Sequence, residues 1–155
     1  MSREIDFYTP LKTDWEWFVV KDFDKVIQAK SKQDLWDKEG AGWVYWAFFN
    51  CDNSKLLINI DVVSHPGAVE IKVSPEMLFN WGFTQSVGGF RVLAYEPSTN
   101  TYTVEYAPGV LGHFGTPFRD RNRCWLENPT DSPIKYNFQA WLILFKKEVI
   151  PVERV

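Results

Sequence analysis

Residues 112–125 read GHFGTPFRDRNRCW and hold one of the two histidines, one of the two cysteines and three arginines. Nucleophilic chemistry here would need His113 to meet Cys124 in space and take the thiol proton. No G-x-S-x-G elbow offers an alternative nucleophile. A metal would need several of His65, His113, Cys51 and Cys124 together, yet no C-x-x-C, H-x-H or H-x-x-x-H spacing occurs. The expectation is therefore no catalytic residue, no metal, no cofactor and no enzymatic activity.

Other chemistries fare little better. Paired carboxylates for glycoside hydrolysis must share one cleft about 5–10 Å apart. Asp61, Glu105 and Asp120 are the candidates, but their strand neighbours make Asp61 and Glu105 read as ordinary wet-face residues. Gly109, Gly112 and Gly115 recur every third residue, without the lysine or the strand–loop–helix context of a phosphate loop. With Pro108 and Pro117, residues 107–118 read as a long irregular connection, and such connections tend to be functional or to pack on partners. This makes His113 and Phe114 candidates for a recognition or assembly loop.

Beyond Pro117 an extended chain would put Arg119, Arg121, Arg123 and Trp125 on one face. Phe118, Asp120, Asn122 and Cys124 would take the other, and the apolar pair marks that face as inward. Three guanidiniums in a row require anions between them. Those anions are carboxylates of this chain, carboxylates of another subunit, or the phosphates of a ligand.

The elements that must position these residues are strands. Period-2 alternation puts Ile134, Tyr136, Phe138, Ala140, Leu142 and Leu144 on one apolar face. The other face starts with Lys135, Asn137 and Gln139 and turns apolar at Trp141, Ile143 and Phe145, so something must cover Trp141 and Phe145. WVYWAFFN and KLLINIDVV flank Cys51-Asp52-Asn53-Ser54 and read as a hairpin, as do FRVLAYE and TYTVEYA around Pro97-Ser98-Thr99-Asn100. AVEIKV at 68–73, WEWFVV at 15–20 and RNRCWLE at 121–127 bring the total to about eight strands. Ser74-Pro75-Glu76 caps a helix of two turns at most, stopped by Gly82. Ser31 and Asp34 could cap a second short helix over Leu35 and Trp36. The predicted fold is an all-β antiparallel sandwich, jelly-roll-like, with a closed barrel as the alternative.

Composition supports one domain over residues 1–155, with an N-terminal arm at 1–14 and a C-terminal tail at 146–155. Both ends carry apolar residues (Ile5, Phe7, Tyr8 and Leu11; Val149, Ile150, Val152 and Val155), which suits arms held on the domain or on a neighbour. Net charge is −3, without the basic excess of a nucleic-acid binder. The longest apolar run, AWLILF, is far below the roughly twenty residues of a membrane span. No apolar leader stands at the N-terminus, so no signal peptide and a cytoplasmic or virion location are expected. Cys51 and Cys124 read as free, buried thiols. The unusual figure is 17% aromatic residues, eight of them Trp, more ring area than a core this size needs.

About eight strands, short helical insertions, long loops and apolar arms resemble the jelly-roll class of particle-building proteins. That resemblance implies a non-enzymatic structural or assembly subunit, as of a virion capsid or tail, partnered by copies of itself or by other subunits. Capsid subunits that grip RNA do so with a basic arm; here residues 1–14 offer only Arg3 and Lys12, so genome binding is not expected. The alternative is an aromatic-rich module for carbohydrate or a small apolar ligand.

Overall fold

The computed structural model describes residues 15–80, 89–106 and 116–145. Among these residues, ten strands and one helix follow in the order β1 (Trp15–Ile27), β2 (Lys32–Glu39), β3 (Gly42–Cys51), β4 (Leu57–Ser64), β5 (Gly67–Val73), α1 (Pro75–Asn80), β6 (Phe90–Glu96), β7 (Thr101–Tyr106), β8 (Thr116–Phe118), β9 (Arg121–Glu127) and β10 (Ile134–Phe145). One sheet runs β1-β10-β3-β7-β6, with β8 also on β3; the second runs β2-β9-β4-β5. Every pairing is antiparallel.

The pairs nest: β1 with β10, β2 with β9, β3 with β7, β4 with β5. They behave as the two arms of one long ribbon, rolled so that successive pairs alternate between sheets. That is a jelly roll. The barrel alternative fails because each sheet keeps two edges, β1 and β6 in the first, β2 and β5 in the second.

Alternation builds the core. The predicted inward face of β10 is buried from Ile134 to Leu142. Across the sandwich, Ile58 and Ile60 of β4 and Cys124 and Leu126 of β9 are at most 1% exposed. Phe49 sits centrally, with its ring 6.3–6.5 Å from those of Trp36, Phe90 and Phe138. Burying each such ring contributes about 1.5–3 kcal/mol, and the ring pairing somewhat more. Trp36 comes from the opposing sheet, where its indole N–H donates to Asn122 Oδ1 of the neighbouring β9 at 2.6 Å, while its ring meets Phe49 and Phe138 across the sandwich.

Two local expectations are corrected. Residues 32–39 form strand β2, and no helix covers Leu35 and Trp36. The register shifts between Asp34 and Trp36, so a bulge turns two adjacent apolar residues inward and erases the alternation that marks a strand. The segments around Cys51–Ser54 are strands but not a hairpin. β3 and β4 lie in different sheets, and the link crosses between them, fixed by Lys135 N–H to Asp52 Oδ1 at 2.9 Å. The β6–β7 hairpin forms as read, with Asn100 at φ 51°. α1 starts as read too: Ser74 Oγ accepts from Met77 N–H at 3.1 Å. The arm at 1–14, the tail at 146–155 and most of the loop at 107–118, including His113 and Phe114, lie outside the described residues.

Candidate functional site

The arginine row projects from the outer face of the second sheet, and its counter-ions come from β2. The register sets Asp37 beside Arg123, Glu39 beside Arg121, and Asp34 beside Trp125. Arg121 grips Asp37 with both ends of its fork, Nε reaching Oδ1 at 2.7 Å and Nη2 bonding Oδ2. Arg123 Nη2 donates to Asp34 Oδ1 at 2.9 Å. The Arg121 bond holds the Asp37 carboxyl below its ordinary range, with Arg123 adding to the effect. On the other flank Asp61 faces Arg123 from β4, yet burial and the opposing Glu70 push its carboxyl up. Trp125 is buried. The Arg123 guanidinium lies 4.6 Å over its ring, and its N–H reaches Glu127 at 3.2 Å. Glu127 also takes Lys32 and Lys72 at 3.8 and 3.6 Å. Arg119 is exposed and, among the described residues, has no carboxylate within ion-pair reach. This face is charged and largely closed on itself.

The outer face of the first sheet is its opposite. Trp141 half-buries itself against Trp46 (ring centroids 5.3 Å, 24° between planes) and edge-on against Phe48. Trp43 packs on Phe145 at 4.9 Å. Trp17 of β1 and Tyr45 of β3 meet at 5.5 Å although β10 runs between their strands, so their rings arch over Ile143, only 3% exposed on an outward position. Trp46 donates its N–H to Glu105 Oε2 at 2.9 Å, while Arg91 Nε reaches Oε1 at 2.6 Å. Glu105 is thus buried beneath two neighbours and is not the wet-face residue its strand suggested. Asp61 lies on the far side of the sandwich, so these two carboxylates share no cleft.

Of ten large hydrophobics exposed among the described residues, six belong to this sheet's β1, β3 and β10: Trp17, Val19, Phe23, Val26, Tyr45 and Phe145. Monomer surfaces seldom gather apolar side chains so closely. The sequence singled out Trp141 and Phe145 on this face. The run WVYWAFFN hid Trp43, Tyr45 and Trp46, because it is apolar in both parities and a register shift opposite Trp141 and Leu142 turns Tyr45 and Trp46 to the same side.

At the other end of the same face lies a half-open cleft of about 440 Å³, with Asp24, Lys25, Asn50, Thr101, Lys135 and Asn137 in its lining. A relay of amides forms its floor: Asn50 Nδ2 to Thr103 Oγ1 (3.0 Å), Asn137 Nδ2 to Asn50 Oδ1 (3.2 Å), and Asp24 N–H to Asn137 Oδ1 (2.8 Å).

The thiols are poor nucleophiles where they stand. Both are free and buried, and desolvation pushes Cys51 up to about 12 and Cys124 well above its ordinary value. Among the described residues, no three His, Cys, Asp or Glu side chains gather as metal ligands. Nor, among the described residues, does any helix have the length and apolarity to cross a membrane. No known protein family and no curated protein matches this chain.

Proposed function

We propose that this chain is a non-enzymatic structural subunit of an oligomeric particle, a virion protein being one example, and that it docks through the outer face of its six-stranded sheet. One observation carries the proposal: the two outer faces differ in kind. The second sheet pairs Arg121 and Arg123 with its own carboxylates, whereas the first clusters Trp17, Tyr45, Trp43, Trp46, Trp141 and Phe145 on a surface that solvent alone covers poorly. The rings are already braced by one another, so little side-chain freedom is lost when a partner arrives. Light scattering on the purified chain at micromolar concentration is expected to give a species larger than one subunit. Tyr45→Asp, at a site 41% exposed, is expected to shift it to lower mass while its far-ultraviolet circular dichroism stays that of a folded β protein, with a small drop in melting temperature from loss of the Trp17 contact. A wild-type chain that stays monomeric overturns the proposal.

A second reading, a carbohydrate-binding module, draws on the cleft of amides and hydroxyls beside the aromatic patch. Against it, Trp46 and Trp141 turn ring faces toward each other and leave less flat area for a sugar. Binding on a glycan array that is lost in Asn137→Ala would favour this reading over assembly.

A further inference from the structure

Irregular backbone walls the cleft at the far end of the aromatic face, and a side-chain amide pins each wall. On one side β1 shifts register between Asp22 and Lys25, and Asp24 takes φ 56°, a left-handed conformation that aspartate tolerates better than most residues. Its N–H is held there by Asn137 Oδ1 at 2.8 Å. On the other side stands the β6–β7 turn. There Asn100 Nδ2 donates to the Asp52 carbonyl at 3.3 Å, which keeps Thr99 and Thr101 at the cleft. The floor is equally fixed, since Asn137, Asn50 and Thr103 stand abreast on β10, β3 and β7 and each amide orients the next. A cleft held in this way needs little rearrangement to receive a ligand.

The lining narrows what that ligand is. A volume of about 440 Å³ falls within the range of small-molecule sites, roughly 300–1,000 Å³. Apart from Val26 and Tyr136 the lining is amide, hydroxyl, carboxylate and ammonium, so the ligand is itself polar. Lys25 and Lys135 balance Asp24 and Asp52 in formal charge, which favours neither an anion nor a cation. After their mutual bonds Asn50 and Asn137 each keep one amide hydrogen and one oxygen lone pair. The Thr99 and Thr101 hydroxyls, 2.7 Å apart, can each donate or accept. A matching ligand must therefore donate and accept through neighbouring groups, as vicinal hydroxyls do. Resting on the carbohydrate reading above, we infer that this cleft binds a neutral saccharide, whose hydroxyls take the amides and carboxylates while a C–H face lies on Val26. The cleft is built within one chain, so it does not depend on assembly.

Saturation-transfer NMR on the full chain tests this with methyl glycosides of neutral hexoses and N-acetylhexosamines, and with N-acetylneuraminic acid and inorganic phosphate as charged probes. At least one neutral glycoside is expected to bind, with an affinity that changes little between low and high sodium chloride. Asn50→Ala is expected to weaken that glycoside by about tenfold or more, through loss of an amide that both donates and accepts. Asp24→Asn is the gentler variant: asparagine also tolerates the left-handed turn, and the backbone N–H to Asn137 is kept. It is expected to weaken the same glycoside by about tenfold, since a charged acceptor is lost. A cleft for anions would instead bind more tightly in Asp24→Asn, where Lys25 and Lys135 then face Asp52 alone. That outcome, or binding of the charged probes only, overturns the inference. Neutral glycosides that bind both variants as well as wild type remove the cleft assignment and leave the carbohydrate reading standing. If no probe binds, both fall.

Discussion

Three arginines on alternate positions demand anions, and β2 supplies two of them at hydrogen-bond distance. Because Arg121 lowers the Asp37 pKa in the folded state, the pair's contribution is fully present above the unfolded aspartate value near 3.9 and is lost as pH falls through the lowered folded value. Arg121→Gln is therefore expected to lower the thermal midpoint slightly at neutral pH, on the order of 1 °C, as suits a solvent-exposed pair. Melting curves recorded down the acid limb should show wild type and variant converging at the acid end. A gap of constant size across that range would mean that Arg121 acts through something other than Asp37. At this scale the sequence was informative about residue types and direction: Phe118, Asn122 and Cys124 turn inward, as alternation required. It was silent on the partner strand, because Asp34 and Asp37 stood in a segment that read equally well as helix.

Among the elements, β10 sets the architecture, since it joins β1 to β3 and contributes a face to both the core and the aromatic patch. In β3, Gly42 stands opposite Leu144 of β10. A Cβ on Gly42 would fall on the Ile143 carbonyl oxygen and lie 2.9 Å from Leu144 Cδ2, so Gly42→Ala must part the two strands there. The expected loss is about 1–3 kcal/mol, read from denaturant unfolding, the cost of overpacking a site where backbone is the obstacle. Strands with clean alternation were legible to the residue: β9 at 121–127 and β10 at 134–145 match their predicted limits. Where bulges shift the parity, at Leu35 in β2 and Tyr45 in β3, periodicity failed. One of these failures concealed a strand, and the other concealed the composition of the aromatic face. The supposed hairpin at Cys51–Ser54 failed for another reason, since a short polar link serves equally well to turn within a sheet or to cross between two.

For the whole molecule, a sandwich with one charged face and one aromatic face makes a statement about forces that can be checked without knowing the partner. If copies associate through the aromatic face, burial of apolar surface drives the association, which carries a negative heat-capacity change and little salt dependence. If they associated instead through the arginine row, charge pairing across the interface would be screened, and added salt would weaken it. The two cases separate in one titration series: dilution calorimetry of the wild-type chain at low and high sodium chloride and at several temperatures. The expected result is an enthalpy of dissociation that rises with temperature and an association constant that changes little with salt. Sulfate in place of chloride is expected to tighten association, because excluded salts strengthen apolar burial. Association that falls steeply with sodium chloride would transfer the interface to the outer face of the second sheet, beside the exposed Arg119 that precedes β9.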